Sequence, residues 1–226
     1  MTVQLAIPTP SRDFSQRAAA PWTAVGPDQT ETASGCILRF DQDREIYGEG
    51  EEATSYYTVV SGVVRTCKFL SDGRRQIDAF HVAGDVFGIE PGAVRSLSAE
   101  AVSDCRVMVH RGLSLDKSGA PLAVPPQLFA EVIRNLTRAQ EHSVLLGRRS
   151  ALEKVASFLL GWAQQSASAC TIALAMTRQD IGDYLGLTIE TVSRTLSQLE
   201  RDGIIELPSV RQIRITDIEA LTDING

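Results

Sequence analysis

The period of hydrophobic and polar positions divides the chain into a β-rich half and a helical half. From Cys36 to about His110, short runs rich in Val, Ile, Tyr and Phe are separated by turn residues, which is typical of β-strands. The clearest runs are YYTVVSGVVRTCKFL, RQIDAFHV and CRVMVH. Gly62, Gly73 and Gly84 recur at a constant spacing of eleven residues, as in consecutive strands joined by tight turns. These features predict an antiparallel roll or barrel.

A helical period begins after a proline-rich junction near Pro125. Apolar and small residues then follow alternating steps of three and four, the spacing of a coiled-coil seam. The seam positions are Phe129, Val132, Leu136, Ala139 and Leu146, with Ser143 in the same series. A helix packed on its own β-domain also carries an apolar stripe, but the narrowness of this one favours a partner helix. We therefore expect a homodimer joined along these residues.

The strongest pattern predicts two short helices joined by a tight turn, in TRQDIGDYLGLTIETVSRTLSQLERDGII. Thr177 can cap the first helix, Gly186 ends it, and Thr188 can cap the second. The expected buried positions are Ile181, Tyr184, Leu185, Val192, Leu196 and Leu199. Two helices joined so closely cannot lie antiparallel, so they cross steeply. This arrangement is a helix-turn-helix, and a pair of ordinary bundle helices is the alternative.

The first exposed turns of the second helix carry side chains that can read DNA bases. They are Glu190, Thr191, Ser193 and Arg194. An arginine suits the O6/N7 edge of guanine, a glutamate can accept from the cytosine amine, and a serine or a threonine methyl can meet thymine. Because Arg194 follows Glu190 by four residues, both lie on one face of the helix and can address neighbouring base pairs.

Other residues are expected to contact the DNA backbone. They are Thr177, Arg178 and Thr188 at the starts of the two helices, and Arg211 downstream. The downstream segment, GIIELPSVRQIRITD, predicts a wing of two short strands. Charged and apolar residues alternate in its second strand, so one face is apolar and the other can meet phosphate. The charged members are Arg211 and Arg214, and the apolar ones are Val210, Ile213 and Ile215. A wing without DNA contact fits this pattern equally well.

The charge balance limits how tightly DNA can be held. The formal net charge is −6, and the segment from Ser150 onward holds six Lys or Arg against ten Asp or Glu. Phosphate contacts must therefore come from a few well-placed arginines, and we expect modest non-specific affinity. The apolar runs are far shorter than the ~20 residues of a membrane span. The N-terminal residues lack the pattern of a secretory signal, so we expect a cytoplasmic protein with no membrane contact.

The cysteines and histidines predict no metal site. Cys36, Cys67, Cys105 and Cys170 stand singly, and the three histidines lie far apart in sequence. Cys170, a few residues ahead of the helix-turn-helix, is the first candidate for redox control, with a small apolar core residue as the alternative. We find no phosphate loop, nucleophile elbow or paired histidine-acid motif in the sequence. We therefore expect neither an enzyme nor a cofactor.

The order of these parts, from about Cys36 to Thr216, resembles the Crp/Fnr family of bacterial regulators. The Glu190-x-x-Ser193-Arg194 pattern within GLTIETVSRTLSQLERDGII is similar to the FixK branch, and GDVFG at 84–88 is similar to the family's β-roll. The resemblance implies an α+β fold with an N-terminal antiparallel β-roll of the cyclic-nucleotide-binding type, a long dimerisation helix and a C-terminal winged helix-turn-helix. The expected divisions are an irregular arm at 1–30, the roll at 31–123, the helix at 124–149 and the DNA-binding domain at 150–226.

The resemblance also implies what the protein binds. The Fnr and FixK branches read TTGAT-type half-sites in inverted repeats, so double-stranded DNA and RNA polymerase are the expected partners of an activator. Iron–sulfur members carry several closely spaced cysteines near the N-terminus, whereas only Cys36 precedes the roll here. We therefore expect no cluster.

The likeness to nucleotide-binding members is incomplete. Those members place a glutamate directly after the last glycine of the GDxxG segment, whereas Gly88 is followed here by Ile89 and then by Glu90. Arg95-Ser96 resembles the arginine-serine pair of their phosphate pocket, which indicates a degraded pocket. Two hypotheses follow: a regulator without a small ligand, controlled by its abundance or by thiol chemistry, and a regulator gated by a cyclic nucleotide or haem. No motif around Cys67 or His81 singles out a haem ligand.

Overall fold

The computed structural model describes residues 36–111, 126–148, 150–165 and 171–225. The expected arm at 1–30 lies outside these ranges. The predicted order of an antiparallel β-roll, a long helix and a winged helix-turn-helix is confirmed. No helix of the described ranges is long and apolar enough to cross a membrane.

The roll consists of two antiparallel sheets of four strands. The strands of the first sheet, in spatial order, are β1 (Cys36–Phe40), β8 (Cys105–Arg111), β3 (Ser55–Ser61) and β6 (Val86–Phe87). Those of the second are β2 (Glu45–Tyr47), β7 (Ser98–Ala101), β4 (Val64–Phe69) and β5 (Arg75–His81). Apolar side chains from both sheets form the core between them, since burying one face is what stabilises a sheet. The core includes Tyr47, Val59, Val64, Phe87, Ala99 and Val107.

The glycine repeat marks turns, as predicted. Gly62, Gly73 and Gly84 all have a positive φ, which glycine adopts without a steric penalty. Gly62 is constrained twice, because a Cβ built there would lie 2.4 Å from the carbonyl oxygen of Asp104. Only glycine fits this position between β3 and β4.

A 21-residue helix, α1 (Pro126–Leu146), follows the roll and packs against it. Leu128, His142 and Leu145 are buried. Two polar contacts fix the helix to the β6 region: the Asn135 amide donates to the carbonyl of Val86 at 2.9 Å, and Arg138 pairs with Asp85 at 2.8 Å. The helix therefore does pack on its own β-domain, by one of its faces.

The remaining elements form the winged domain. They are α2 (Ala151–Gln165), β9 (Thr171–Ala173), α3 (Arg178–Leu185), α4 (Ile189–Arg201), β10 (Ile205–Ser209), β11 (Gln212–Ile215) and α5 (Ile218–Asn225). The wing sheet has three strands in the order β10, β11, β9, whereas the sequence analysis predicted only the two-stranded part. Leu159, Ile181, Leu196, Ile213 and Leu221 belong to one buried cluster. Three roll residues join the same cluster: Val102 is buried in it, and Val63 and Phe80 pack against it.

His81 is a buried histidine between the roll sheets, and it gives a prediction for stability. Its Nε2 lies 3.1 Å from the Thr66 hydroxyl, and its ring stacks on Phe87. Burial lowers the pKa of His81 to about 4, although Asp85 acts in the opposite direction. The neutral ring is therefore the folded form over most of the acidic range.

We expect the free energy of unfolding to fall as the pH drops from about 6.5 to about 4, since the unfolded chain then binds a proton at His81 that the folded chain does not. In His81→Gln this part of the pH dependence disappears. Urea unfolding at a series of pH values measures it. His110→Gln is the matched control. The His110 ring is only half-buried and burial also lowers its pKa, so this substitution should remove a smaller part of the pH dependence. An unchanged slope in His81→Gln would contradict the assignment.

Candidate DNA interface

The first helix of the predicted helix-turn-helix, α3, begins at the predicted cap. The Thr177 hydroxyl accepts from the Asp180 backbone N–H at 3.1 Å, and the Asp180 carboxylate accepts from the Thr177 backbone N–H at 2.9 Å. This reciprocal pair is a capping box, which satisfies two backbone donors that would otherwise be free. The start of α3 is therefore fixed by its own sequence.

Helix α3, helix α4 and the turn between them, residues 178–201, are called the reading head below. The turn is as tight as predicted. Gly186 has a φ of +64°, the left-handed conformation of a helix C-cap. The Leu187 N–H donates to the carbonyl of Gly182 at 2.9 Å. A Cβ at Gly182 would lie 2.7 Å from the Leu187 carbonyl oxygen, so the two segments touch through backbone. The head is consequently a rigid unit.

The second helix, α4, presents the predicted base-reading residues at its N-terminal end. Val192, Leu196 and Leu199 are buried, which turns the opposite face outward. Glu190 and Arg194 are exposed, and Thr191 and Ser193 are half-buried.

The polar groups of these residues differ in how free they are. Thr188 caps the helix by accepting from the Thr191 N–H at 3.2 Å, and the hydroxyls of the two threonines lie 3.0 Å apart. The pKa of Glu190 lies below its usual range because its own backbone N–H and the Thr188 hydroxyl hydrogen-bond to its carboxylate, and because Arg194 adds a positive charge. Glu190 is therefore an acceptor and Arg194 a donor on one surface.

The residues predicted to contact phosphate have different environments. Thr177 and Thr188 are exposed, with hydroxyls engaged in the caps. Arg178 is half-buried; burial lowers the pKa of its guanidinium, and its Nη1 has no hydrogen-bond partner in the described part of the chain. Arg211 is exposed at the turn between β10 and β11.

One residue of the wing, Val210, does not lie where its sequence pattern predicts. Val210 lies in that same turn and is exposed, so placing it on the apolar face was wrong. Ile213 and Ile215 are buried as expected. Arg214 pairs with Glu206 across the two strands, which leaves Arg211 as the wing arginine without a recorded ion pair among the described residues.

The predicted seam residues of α1 lie mostly on its outer face. Phe129, Leu136 and Ala139 are exposed, whereas Val132 and Leu146 are half-buried. Two further apolar residues, Ile133 and Val144, are exposed and were missed. The exposed fractions of Phe129, Leu136 and Val144 are 59%, 53% and 68%. Such an apolar stripe opposite a packed face is unusual for a helix in contact with water alone.

In the corner of the roll that resembles a phosphate pocket, Arg95 and Ser96 form hydrogen bonds with other groups of the protein. The Ser96 N–H and hydroxyl both donate to the Glu90 carboxylate, each at 3.0 Å. Arg95 is buried; it donates to the carbonyls of Gly88 and Ser55, each at 2.6 Å, and its guanidinium lies 4.1 Å from the centre of the Tyr47 ring. Most groups that would hold a phosphate are therefore already paired, and the buried Nε of Arg95 is the one without a hydrogen-bond partner among the described residues.

Three cysteines lie within the described ranges, and Cys170, the redox candidate, lies outside them. Cys36 is exposed, whereas Cys67 and Cys105 are buried. Burial raises the pKa of Cys67 and of Cys105 to about 11 each. Buried thiols of this kind react slowly, because the thiolate is the nucleophile.

An ion-pair cluster between the roll and the reading head was missed by the sequence analysis. Arg65 and Arg75 of the roll contact Asp180 and Asp183 of α3. The partners are more than 100 residues apart in sequence, for example 108 between Arg75 and Asp183. No local pattern could have paired them.

Comparison with known proteins supports this architecture. A model described as "Crp-like helix-turn-helix domain" matches residues 153–224, and one described as "Cyclic nucleotide-binding domain" matches residues 37–116. The nitrogen fixation regulation protein FixK of Azorhizobium caulinodans is 48% identical over 222 residues, which cover 95% of this chain and 90% of that protein. This chain belongs to the Crp/Fnr family.

Further relatives of this Crp/Fnr regulator agree. The transcriptional activatory protein AadR of Rhodopseudomonas palustris is 41% identical, over 74% of this chain and 72% of that protein. The solved structure of FixK2 from Bradyrhizobium japonicum superposes with a TM-score of 0.78 at 46% identity, covering 85% of this chain and 98% of that one. The chain is thus a FixK-type transcription regulator with a helix-turn-helix DNA-binding domain, and its named relatives are regulators rather than enzymes.

The close packing at Gly182 predicts that a side chain at this position destabilises the reading head. Gly182→Ala should destabilise the protein by about 1 to 3 kcal/mol, because the added methyl meets a backbone oxygen and overrides the gain in helix propensity. Gly161→Ala is the matched control: it also lies within a helix but in open space, and it should be neutral or stabilising by up to about 1 kcal/mol. Thermal and urea unfolding compare the two. Equal behaviour of both variants would mean that the turn tolerates a side chain.

Proposed function

We propose that this regulator is a homodimeric activator that binds TTGAT-type inverted repeats, with neither an iron–sulfur cluster nor a small ligand in its roll. In this proposal residues 31–123 form the roll, 124–149 the dimerisation helix and 150–226 the DNA-binding part. The exposed pair Glu190 and Arg194 on α4 carries the proposal, because it offers one acceptor and one fork-shaped donor to neighbouring base edges.

The base contacts follow from the chemistry of this pair. Arg194 donates two hydrogen bonds to O6 and N7 of the guanine in TTGAT, and Glu190 accepts from a cytosine amine. Thr191 and Ser193 lie beside them and meet thymine methyl groups or base acceptors. Thr177, Arg178, Thr188 and Arg211 contact the backbone and set the register. Arg178 suits this role because it lies in the first turn of α3 and is only half-buried, so the exposed part of its guanidinium can meet a phosphate.

The dimer is supported by the two-sided character of α1. One face is held on the roll by Leu128, Asn135 and Arg138, while the other leaves Phe129 and Leu136 in solvent. A second copy of the same helix would cover that stripe symmetrically, as in a two-stranded coiled coil. Two reading heads related by this axis would fit an inverted repeat with half-sites about one helical turn apart, ~10 base pairs centre to centre.

Activity without a bound nucleotide is supported by the filled corner of the roll. A phosphate would have to displace Glu90 from Ser96 and pull Arg95 away from two carbonyls and an aromatic ring. A haem gains no support either, because Cys67 is fully buried and the Nε2 of His81 is paired. We propose no iron–sulfur cluster because the iron–sulfur members of the family carry several closely spaced cysteines near the N-terminus, whereas only Cys36 precedes the roll here. The proposed activator role agrees with the relative AadR, which is named a transcriptional activatory protein, and we propose that such an activator contacts RNA polymerase.

Selection of bound sites from random DNA tests the function directly, and Arg194→Ala tests the reading face. We expect Arg194→Ala to lose ~1 to 3 kcal/mol on the selected site, with relaxed preference at the guanine of TTGAT. Arg211→Ala is the control for a phosphate contact: it should weaken binding evenly across sequences and lower the salt slope by about one. Binding to single-base variants at two salt concentrations gives both quantities. If Arg194→Ala loses affinity equally on every variant, Arg194 is a phosphate anchor.

Leu136→Asp tests the dimer. A charge in the centre of the apolar stripe should give monomers in sedimentation and a large loss of operator affinity, because a buried unpaired carboxylate opposes association. Ala130→Asp is the control, since it adds the same charge to an exposed position of α1 about 100° around the helix from Phe129. It should remain dimeric. A dimeric Leu136→Asp protein with full operator affinity would rule out this face.

A further inference from the structure

We propose that Arg75 of the roll and Asp183 of the reading head are positioning residues, which set the spacing between half-sites that the dimer accepts. This inference rests on the proposed dimer on inverted repeats. It concerns residues that contact no DNA base in that proposal and that lie in two different domains.

The contact between roll and head is a compact cluster of opposite charges, the roll–head cluster. Arg75 Nη2 lies 2.8 Å from Asp183 Oδ2, and Arg75 also pairs with Asp180. Arg65 lies 3.2 Å from Asp180 and 2.7 Å from Glu100, which also lies 3.5 Å from Arg75. The side chains of the two arginines and two aspartates are only 4% to 17% exposed. Buried charges of this kind tolerate separation poorly, because each would lose its partner.

The cluster is linked to the helix cap. The carboxylate of Asp180 that meets Arg65 and Arg75 also accepts from Thr177 in the capping box. Burial acts to raise the pKa of Asp180, but the Thr177 hydrogen bonds and the two arginines outweigh it, so its pKa lies below the usual range. Asp183 lies one turn further along α3, where the Arg75 Nε donates to it at 2.9 Å. The roll therefore holds α3 at two points about one turn apart, Asp180 near its start and Asp183 towards its end.

The C-terminal end of α3, at Tyr184 beside Asp183, is held by α1 and by further residues of the roll. The Gln76 amide donates to the Tyr184 carbonyl at 3.4 Å, and the Phe80 and Tyr184 ring centres lie 5.4 Å apart. The His142 ring stacks on Tyr184 with ring centres 4.0 Å apart, and its Nε2 lies 2.8 Å from the Tyr184 carbonyl oxygen. A helix fixed at one end can swing about that end, whereas a helix fixed at both ends cannot. Without the roll–head cluster, the Asp180 end of α3 would lose its ion pairs with the roll, and α3 would pivot about the contacts at Tyr184.

A pivot of α3 would move the base-reading helix as well. The backbone contact at Gly182 joins α3 to α4, so both helices turn together. The roll is itself fixed to α1, through Arg138 and Asp85. An unbroken series of contacts thus runs from the proposed dimer helix through the roll to α4. Removing the cluster should loosen the distance and angle between two heads without altering the reading face.

Operators with altered spacers between the half-sites measure how much the distance and angle between the two heads can change. Moving one half-site by one base pair shifts it by about 3.4 Å and rotates it by about 35°. A rigid pair of heads should reject that change, and a loose pair should tolerate it. The test compares affinity for the best spacing, for spacers one base pair shorter and longer, and for an isolated half-site.

Arg75→Gln and Asp183→Asn are the variants, since both remove charge with little change in size. Asp183→Asn leaves the capping box and both Asp180 pairs in place, so it keeps the test valid if Arg75→Gln is unstable. Arg74→Gln is the matched control, because Arg74 is the sequence neighbour of Arg75 and lies outside the roll–head cluster. The Arg74 side chain is 77% exposed and forms an ion pair only with Asp72 in the described ranges. Thermal unfolding of each full-length variant is recorded alongside.

We expect the preference for the best spacing to shrink about fivefold or more in Arg75→Gln, which removes pairs to both aspartates, and by a smaller factor in Asp183→Asn, which leaves both Asp180 pairs in place. Half-site affinity and base preference should change less than about twofold, as in Arg74→Gln. The double variant should resemble Arg75→Gln, because that substitution already removes the Arg75–Asp183 pair together with the Arg75 pairs to Asp180 and Glu100. Equal losses on the operator and the half-site, with unchanged spacing preference, would show that the cluster only stabilises the fold and would overturn the inference. A wild-type protein with no spacing preference would instead refute the proposed two-headed binding itself.

Discussion

Asp180 is bound from two sides, by the cap of α3 and by arginines of the roll, and the arrangement of the domains depends on this pairing. A buried carboxylate is stable only while its partners surround it. The same residue therefore fixes where α3 begins and where the whole reading head lies against the roll. Aromatic packing of Phe80 with Trp162 and Tyr184 adds apolar area next to the charges. The roll is thus a structural support for the reading head.

Elements with a strong local pattern could be predicted from the sequence. The strands β3, β4, β5 and β8, the long helix and both helices of the reading head follow from period and caps, and the glycine repeat correctly marked turns. The three-residue strand β9 and the short helix α5 were missed, because so few residues show no period. Strand β9 exists only through its pairing with β11, where Ile172 lies opposite Ile213.

The candidate site was predictable to a similar extent. Helical period alone placed Glu190 and Arg194 on the outer face of α4, and the structure agrees. It could not show that the Thr191 hydroxyl lies beside that of Thr188, or that part of Arg178 is enclosed, because both depend on packing in three dimensions. The sequence also indicated a degraded nucleotide pocket. Only the structure shows how it is filled, with the Glu90 carboxylate bound by the backbone and hydroxyl of Ser96.

The acidity of the winged domain has a consequence for its independence. Two of its carboxylates, Asp180 and Asp183, are neutralised by arginines that belong to the roll. Cut away from the roll, the domain would expose both charges beside the proposed DNA-facing surface, and it would also lose the apolar cover of Val102. The DNA-binding domain is therefore not a portable module. Fusing it to another regulator would transfer the proposed base-reading residues without the roll arginines that pair with Asp180 and Asp183.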